Sequence, residues 1–317
     1  MTTDRSDPFR HLAVFFHDVD DLVVTLAPML AEALTRGDLI WAAVDDPVRG
    51  AVERHLGSAA GDVVFGEPAQ PYSYSGQTTA SRRGDRLREL TADGRGALIL
   101  SDSSTVGGPG PRSSAPDFWS VVDASCNLAL SGLPVTLVCL CDAAVASEDT
   151  ERYLYWNHRE LFEGSTASPN PRYRAPDQVL ASVPAPPAPP LGPPNDQATF
   201  TGVTALRSVR RATRRHGEEA GLSDEQVDGL VLAIGELVSN SIEHGPGHGT
   251  LSWWTAPGRV VAQIHDVGRM TTTTPGLRRP DVRSVRGRGV WLARQHSDVL
   301  HFWTGADGTH VRLELSA

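Results

Sequence analysis

Residues 235–247 read GELVSNSIEHGPG. Glu236, Asn240 and His244 stand four residues apart, and steps of four return to one side of a helix. A carboxylate, an amide and an imidazole therefore share one stripe, and the Gly-Pro-Gly that follows breaks the helix. Leu230, Ile234, Leu237, Ser241 and Ile242 fall on other faces. A polar stripe beside an apolar one is also how an ordinary solvated helix face looks. The segment alone leaves both readings open, and its neighbours have to decide.

Upstream, LSDEQVDGLVLAIGELVSNSIEH (222–244) extends the same helix, and Ser223 and Gln226 have capping-box spacing. Before it, FTGVTALRSVRRATRRHGEEAG (200–221) reads as another helix after a short lead. Downstream, TLSWWTA (250–256) and VVAQIHD (260–266), with Pro-Gly between them, predict a hairpin. Residues 267–288 are irregular, GVWLARQHS (289–297) is a short helix, and VLHFWTG (299–305) and THVRLEL (309–315) predict a second hairpin. Helices followed by an antiparallel sheet imply an α+β layered domain.

SVPAPPAPPLGPPND (182–196) precedes this region. Its prolines cannot join a helix or sheet ladder, so the stretch is expected to be an extended, semi-rigid spacer. The expected organisation is a first domain at 1–181, a linker at 182–196 and a second domain at 197–317. Charge divides there too: residues 1–194 hold 15 Arg against 25 acidic residues, and residues 195–317 hold 14 Arg against 13. In the first domain strand-like and helix-like patterns alternate. HLAVFF (11–16), LIWAAV (39–44), GALILS (96–101) and VTLVCLCD (135–142) read as strands. Residues 20–37, 47–57, 117–132 and 147–161 read as helices, and an irregular Gly/Ser/Tyr region precedes residue 96. Strand, helix, strand in succession implies an α/β fold with a mostly parallel sheet.

The 317 residues suit about two domains. The net charge of −9 argues against direct nucleic-acid binding or an anionic membrane surface. LALSGLPVTLVCL (128–140) is too short to span a bilayer and contains Pro134. The N-terminus has no basic start before an apolar core, and three cysteines make no disulfide framework. A cytoplasmic protein is expected. All 29 basic residues are Arg. Lysine-based phosphate loops, Schiff-base lysines and the protein-kinase strand lysine are therefore excluded.

The remaining pieces supply the chemistry. HDVG sets Asp266 at a strand end with Gly268 two residues on, and RGRGVW puts Gly287 and Gly289 at the start of a helix. Free N–H groups at a helix start suit phosphate. Residues 269–288 hold six Arg and one Asp, as a cover over a polyanion would or an ordinary solvated loop.

Glu-x-x-x-Asn on a helix, Asp-x-Gly after a strand and Gly-x-Gly before a helix, in this order, resemble the N, G1 and G2 boxes of the GHKL ATPases, which have the Bergerat ATP-binding fold. ELVSNSIEHG and GRGVWLARQHSD look most like the actinobacterial form of the anti-sigma-factor serine kinases, and Arg269-Met270 after the G1 box fits that branch. The resemblance implies ATP and Mg²⁺ as cofactors. It implies Asn240 as the metal ligand and Glu236 as the base for a water or Ser/Thr hydroxyl. Asp266 would accept from the adenine amino group, and Gly268 would leave room for the base. Gly287 and Gly289 would admit the phosphates, and Thr309 would help hold the base region. His244 fits near the ribose or phosphates, or caps its helix. The implied activity is that of an anti-sigma factor with serine/threonine kinase activity. Its expected partners are a sigma factor and a STAS-type anti-anti-sigma protein, and a homodimer is expected from the family. A non-catalytic anti-sigma module and a sensor histidine kinase are the rivals, and His216 is the one histidine on offer as phosphoacceptor.

The first domain resembles the MEDS (DcmR-type) sensory domain through residues 11–38, 118–142 and 157–181, which implies a RecA-like sheet. Asp123 stands four before Asn127, where that family usually has Glu. Cys139 and Cys141 fall on one strand face with Cys126 nearby. Burial in the core is favoured for them over a metal or redox pair. His158, Tyr153, Tyr155 and Trp156 likewise read as packing rather than a ligand cage.

Overall fold

The protein is seen in a computed structural model that describes residues 8–66, 74–102, 116–144, 146–163, 166–183, 185–270, 272–280 and 287–317. It divides into two compact units, Met1–Val179 and Leu180–Ala317.

The first unit runs β1 (Arg10–Phe16), α1 (Val19–Arg36), β2 (Leu39–Ala43), α2 (Asp46–Leu56), β3 (Val63–Phe65), α3 (Gly76–Leu90), β4 (Ala97–Asp102), α4 (Pro116–Ala129), β5 (Val135–Asp142), α5 (Glu148–Asn157), β6 (Glu160–Glu163) and β7 (Thr166–Pro169). Its sheet order is β3-β2-β4-β5-β1-β6-β7. Every pair is parallel except β6 with β7. The central strands are near-continuous apolar runs because both faces are covered. Leu22, Leu26 and Leu30 of α1 and Val48 and Val52 of α2 belong to one core. Ala80 and Leu87 of α3 and Val122 and Cys126 of α4 belong to the other. Asp18 caps α1, and Gly37 ends it in the left-handed conformation at φ 71°.

The sheet is mostly parallel, as expected, but several elements depart from the sequence reading, among them β7, which was not expected. The irregular region before residue 96 contains β3 and α3. The α3 sequence is rich in Gly, Ser, Thr and Arg and carries no apolar stripe, yet Ser75 caps it. Gly76 and Gly84 let it sit close against α4, where an added Cβ would lie 3.0 Å from Val121 and from the Ala129 carbonyl. The helix read over 147–161 ends at Asn157, and β6 begins at Glu160.

After α6 (Pro176–Ser182), the second unit runs β8 (Asp196–Thr201), α7 (Leu206–Glu219), α8 (Asp224–Glu243), β9 (His248–Ala256), β10 (Arg259–Asp266), α9 (Gly289–Gln295), β11 (Val299–Gly305) and β12 (Gly308–Ser316). The sheet order is β11-β12-β10-β9-β8, antiparallel throughout. Helices and antiparallel strands form the expected α+β unit. Val209, Val227, Leu230, Ile234, Leu237 and Val238 from the helices join Phe200, Leu251, Trp253, Ile264 and Leu313 from the sheet in one core. The capping box of α8 forms, with Ser223 and Gln226 bonding reciprocally. The lead before α7 is strand β8, whose DQATFT exposes nearly every second residue, as an edge strand does.

The opposite face of this sheet carries a polar row. Strand register aligns His301, Arg312, Gln263, Ser252 and Gln197. The proline stretch lies across it. Carbonyls of Pro186 and Pro189 accept from His301 Nε2 and Arg312, and the Gly192 carbonyl accepts from Trp254 Nε1. Arg312 also donates twice to Gln263 Oε1 and is only 5% exposed. The segment expected to be a spacer is thus a strap fixed to the sheet, because its proline carbonyls still accept hydrogen bonds although its nitrogens cannot donate. Among the described residues no helix is long and apolar enough to cross a membrane.

Arg312→Ala would leave the Pro189 carbonyl and Gln263 amide oxygen without their buried donor, at about 1–3 kcal/mol. Calorimetry of the full chain should show a lower melting temperature than wild type, and hydrogen exchange should show faster exchange of the Asn195 amide, which donates to the Trp253 carbonyl at the end of the strap.

Candidate functional site

The α8 stripe ends beside the tip of β10. Asp266 is buried at that tip and is paired in register with Thr309 on β12. Its carboxylate is held from two directions: Ser241 Oγ donates to Oδ2 at 2.6 Å and the Gly268 N–H donates to Oδ1 at 2.8 Å. Thr309 Oγ1 donates to the Gly268 carbonyl at 2.9 Å and accepts from the Met270 N–H at 3.0 Å. The chain after β10 is thereby turned under the hairpin β11–β12. Gly308 lies against this turn at φ 132°, where a Cβ would sit 2.0 Å from the Asp266 carbonyl. Only glycine fits there.

A cavity of about 640 Å³ opens above this floor, within the range of small-ligand sites. Asn240, His244, Asp266, Gly268 and Thr309 line it, five of the eight residues singled out from the sequence. Its apolar wall comes from Leu237, Met270, Val290, Phe302 and Val311. Asn240 Nδ2 is buried and has no hydrogen-bond partner in the protein. An amide left unsatisfied at a cavity wall calls for a ligand. His244 is exposed and is the C-cap residue of α8, where its backbone N–H donates to the Asn240 carbonyl.

Glu236, Gly287 and Gly289 do not line the cavity. Glu236 and Gly289 do meet each other: a Cβ on Gly289 would lie 2.4 Å from Glu236 Oε2. Gly289 is the first residue of α9, so the helix start rests on the carboxylate one turn before Asn240. Gly287 has φ 82° and open space around it.

Arg269, Thr272 and Pro275 close one side of the cavity. The described part of the arginine-rich stretch is tied down. Arg294 of α9 is buried and donates to the Pro275 and Leu300 carbonyls. Burial pulls its guanidinium down to about 9. Leu277 is buried, and Gly276 packs on α9, where a Cβ would lie 2.8 Å from the Trp291 nitrogen. Arg283 and Arg286 fall outside the described residues.

The arrangement sets a buried acceptor, Asp266, a glycine, Gly268, and the amide of Asn240 around a cavity with an apolar wall. Residues 201–315 match the family model of the histidine kinase-like ATPase domain. Residues 10–159 match that of the methanogen/methylotroph DcmR sensory domain, MEDS. The chain joins a MEDS sensory domain to a histidine kinase-like ATPase domain. No curated protein matches it. The ATPase domain implies ATP-dependent phosphotransfer chemistry, and the MEDS domain ahead of it marks a regulatory protein.

Sequence reasoning missed Ser241, which was placed on a face away from the stripe. The signal was available: Asn240 and Ser241 are adjacent, and a helix turn of about 100° per residue leaves both able to border one cavity. Arg294 had no local signal, since its partners lie in the preceding loop and the following strand.

Ser241→Ala removes the helix donor to Asp266 without adding bulk. Calorimetric titration should show ATP bound about tenfold more weakly, the worth of one hydrogen bond to a charged acceptor.

Proposed function

We propose that the ATPase domain is a serine/threonine protein kinase that acts as an anti-sigma factor in the cytoplasm. In this reading it holds a sigma factor and phosphorylates a STAS-type anti-anti-sigma partner, under control of the MEDS domain. What supports it most is the pairing of Asn240, on the cavity wall, with Glu236 one turn before it on the same helix.

ATP supplies the phosphoryl group when bound. Asn240 would hold Mg²⁺ through its amide oxygen. Glu236 would take the proton of the attacking Ser or Thr hydroxyl. Asp266, already accepting from Ser241 and Gly268, has lone pairs left for the adenine amino group. Gly268 and Thr309 would shape the base end, and His244, on the cavity wall, would contact ribose or phosphate. Gly287 and Gly289, although off the cavity wall, would keep the backbone bare for phosphates.

The burial of His216 speaks against a sensor histidine kinase. It is 3% exposed, stacks on Trp253 with ring centroids 5.0 Å apart, and pairs with Thr255 and Asp196. A phosphoacceptor must reach another molecule's active site, and this ring is a core residue. A second reading has one observation in its favour. Glu236 lies against Gly289 rather than on the cavity wall, as in a module that binds nucleotide without phosphotransfer.

Glu236→Gln separates the two. With a STAS-type partner and labelled ATP, the wild-type chain should transfer label in an acid-stable form. Glu236→Gln should lose transfer by about 10²–10⁴-fold and bind ATP within a few-fold of wild type. Acid-labile label, or equal transfer by both chains, would contradict the kinase assignment.

A further inference from the structure

The MEDS domain holds a cluster that neither the sheet nor the ATPase chemistry requires. His11 on β1, Cys139 on β5, Asp123 on α4 and His158 just after α5 are all buried. One ligand atom from each lies within 4.8 Å of the others.

Hydrogen bonding fixes the state of both rings. Asn127 Nδ2 donates to the Asn157 carbonyl at 2.8 Å, so its Oδ1 is the atom facing His11 Nδ1 at 3.1 Å. An amide oxygen only accepts, so His11 carries its proton on Nδ1 and a lone pair on Nε2. His158 Nδ1 sits 2.7 Å from the Leu154 carbonyl, so it too is protonated there. Its Nε2 is buried and has no partner in the protein, although the residue is 0% exposed. Two Nε2 atoms without a proton, His158's unpartnered and His11's against the Cys139 thiol, each with the opposite nitrogen anchored to an oxygen, are how metal-binding histidines are held. The rings lie 4.0 Å apart between centroids. His11 Nε2 is already 3.4 Å from Cys139 Sγ, within the spacing of ~3.3–3.8 Å that tetrahedral zinc bonds set between ligands.

We propose that His11, His158, Cys139 and Asp123 form a tetrahedral site for a divalent transition metal, zinc in the first place. Imidazole, thiolate and carboxylate together suit zinc over magnesium or calcium. Burial raises the Asp123 carboxyl to about 7, so binding releases the Cys139 thiol proton, and that of Asp123 where it is protonated, to solvent, and leaves two neutral imidazoles, one thiolate, one carboxylate and a dication, a ligand set whose charges sum to zero. Burial lowers the pKa of both imidazoles, that of His158 to about 4. Arg83, also buried, lies within electrostatic reach of Asp123 and His11. It can pair with the carboxylate but cannot satisfy a bare Nε2.

Cobalt reports the site directly, because a thiolate bound to Co²⁺ gives a near-ultraviolet charge-transfer band. All three cysteines lie in the MEDS domain, so the half-buried His265–Asp307–His310 group of the ATPase domain cannot produce the band. The full chain, produced in cobalt-supplemented, zinc-depleted medium, should carry one Co²⁺ per chain and show the band. Cys139→Ser should abolish it. Cys141→Ser, equally buried two residues along the strand, should keep it. His158→Gln should lower cobalt occupancy at least tenfold while leaving the band of any bound fraction. A wild-type chain without stoichiometric metal, both as isolated and after refolding with Co²⁺, would overturn the proposal and leave a polar packing cluster. So would a band that survives Cys139→Ser. If Cys139→Ser does not fold, the wild type, His158→Gln and Cys141→Ser still decide.

Discussion

The carboxylate of Asp266 is the point at which the second unit is joined to itself. It is buried, and a buried carboxylate needs donors. One comes from Ser241 on α8 and the other from the Gly268 backbone in the turn that follows β10. These two bonds fix the height of the helix over the sheet and the path of the chain leaving it. Thr309 then locks that path to the last hairpin. The cavity is what remains between these fixed parts, so its floor is as rigid as the sheet.

Much of this was legible in the sequence, for physical reasons that differ between elements. The α8 helix announced itself by its capping box and its spacing of four. The hairpins announced themselves by Pro-Gly and Asp-Gly between apolar runs, and each strand lies within two residues of its expected bounds. Asp266, Gly268, Asn240 and Thr309 converge on one cavity because strand register and helix period dictated it. What stayed hidden depended on contacts made across distance. Strand β8 is short and half exposed, and its identity comes from pairing with β9. Helix α3 has no apolar stripe, and two glycines seat it against α4. The proline stretch was read by what its nitrogens lack rather than by what its carbonyls accept.

The first unit shows the same limit at the level of single residues. Burial of Cys126, Cys139 and Cys141 followed from composition, and all three are buried. His158 was read as packing. Its surroundings bear out the burial, but the bare Nε2 depends on the Leu154 carbonyl that takes up Nδ1, and the state of the neighbouring His11 ring depends on Asn127 and Asn157, which only the fold brings beside it. Histidine is informative in a core because each ring nitrogen must be either donor or acceptor. A sequence records the ring and not its proton.

The central claim is that the α8 stripe and the Asp266 floor form one nucleotide site that includes a metal ion. Calorimetric titration of ATP into the full chain and into Asn240→Ala, each with and without Mg²⁺, tests it most directly. The account predicts binding that strengthens with Mg²⁺ in the wild-type chain and loses that dependence in the variant. Absence of binding at millimolar ATP, or the same Mg²⁺ dependence in both chains, would contradict it.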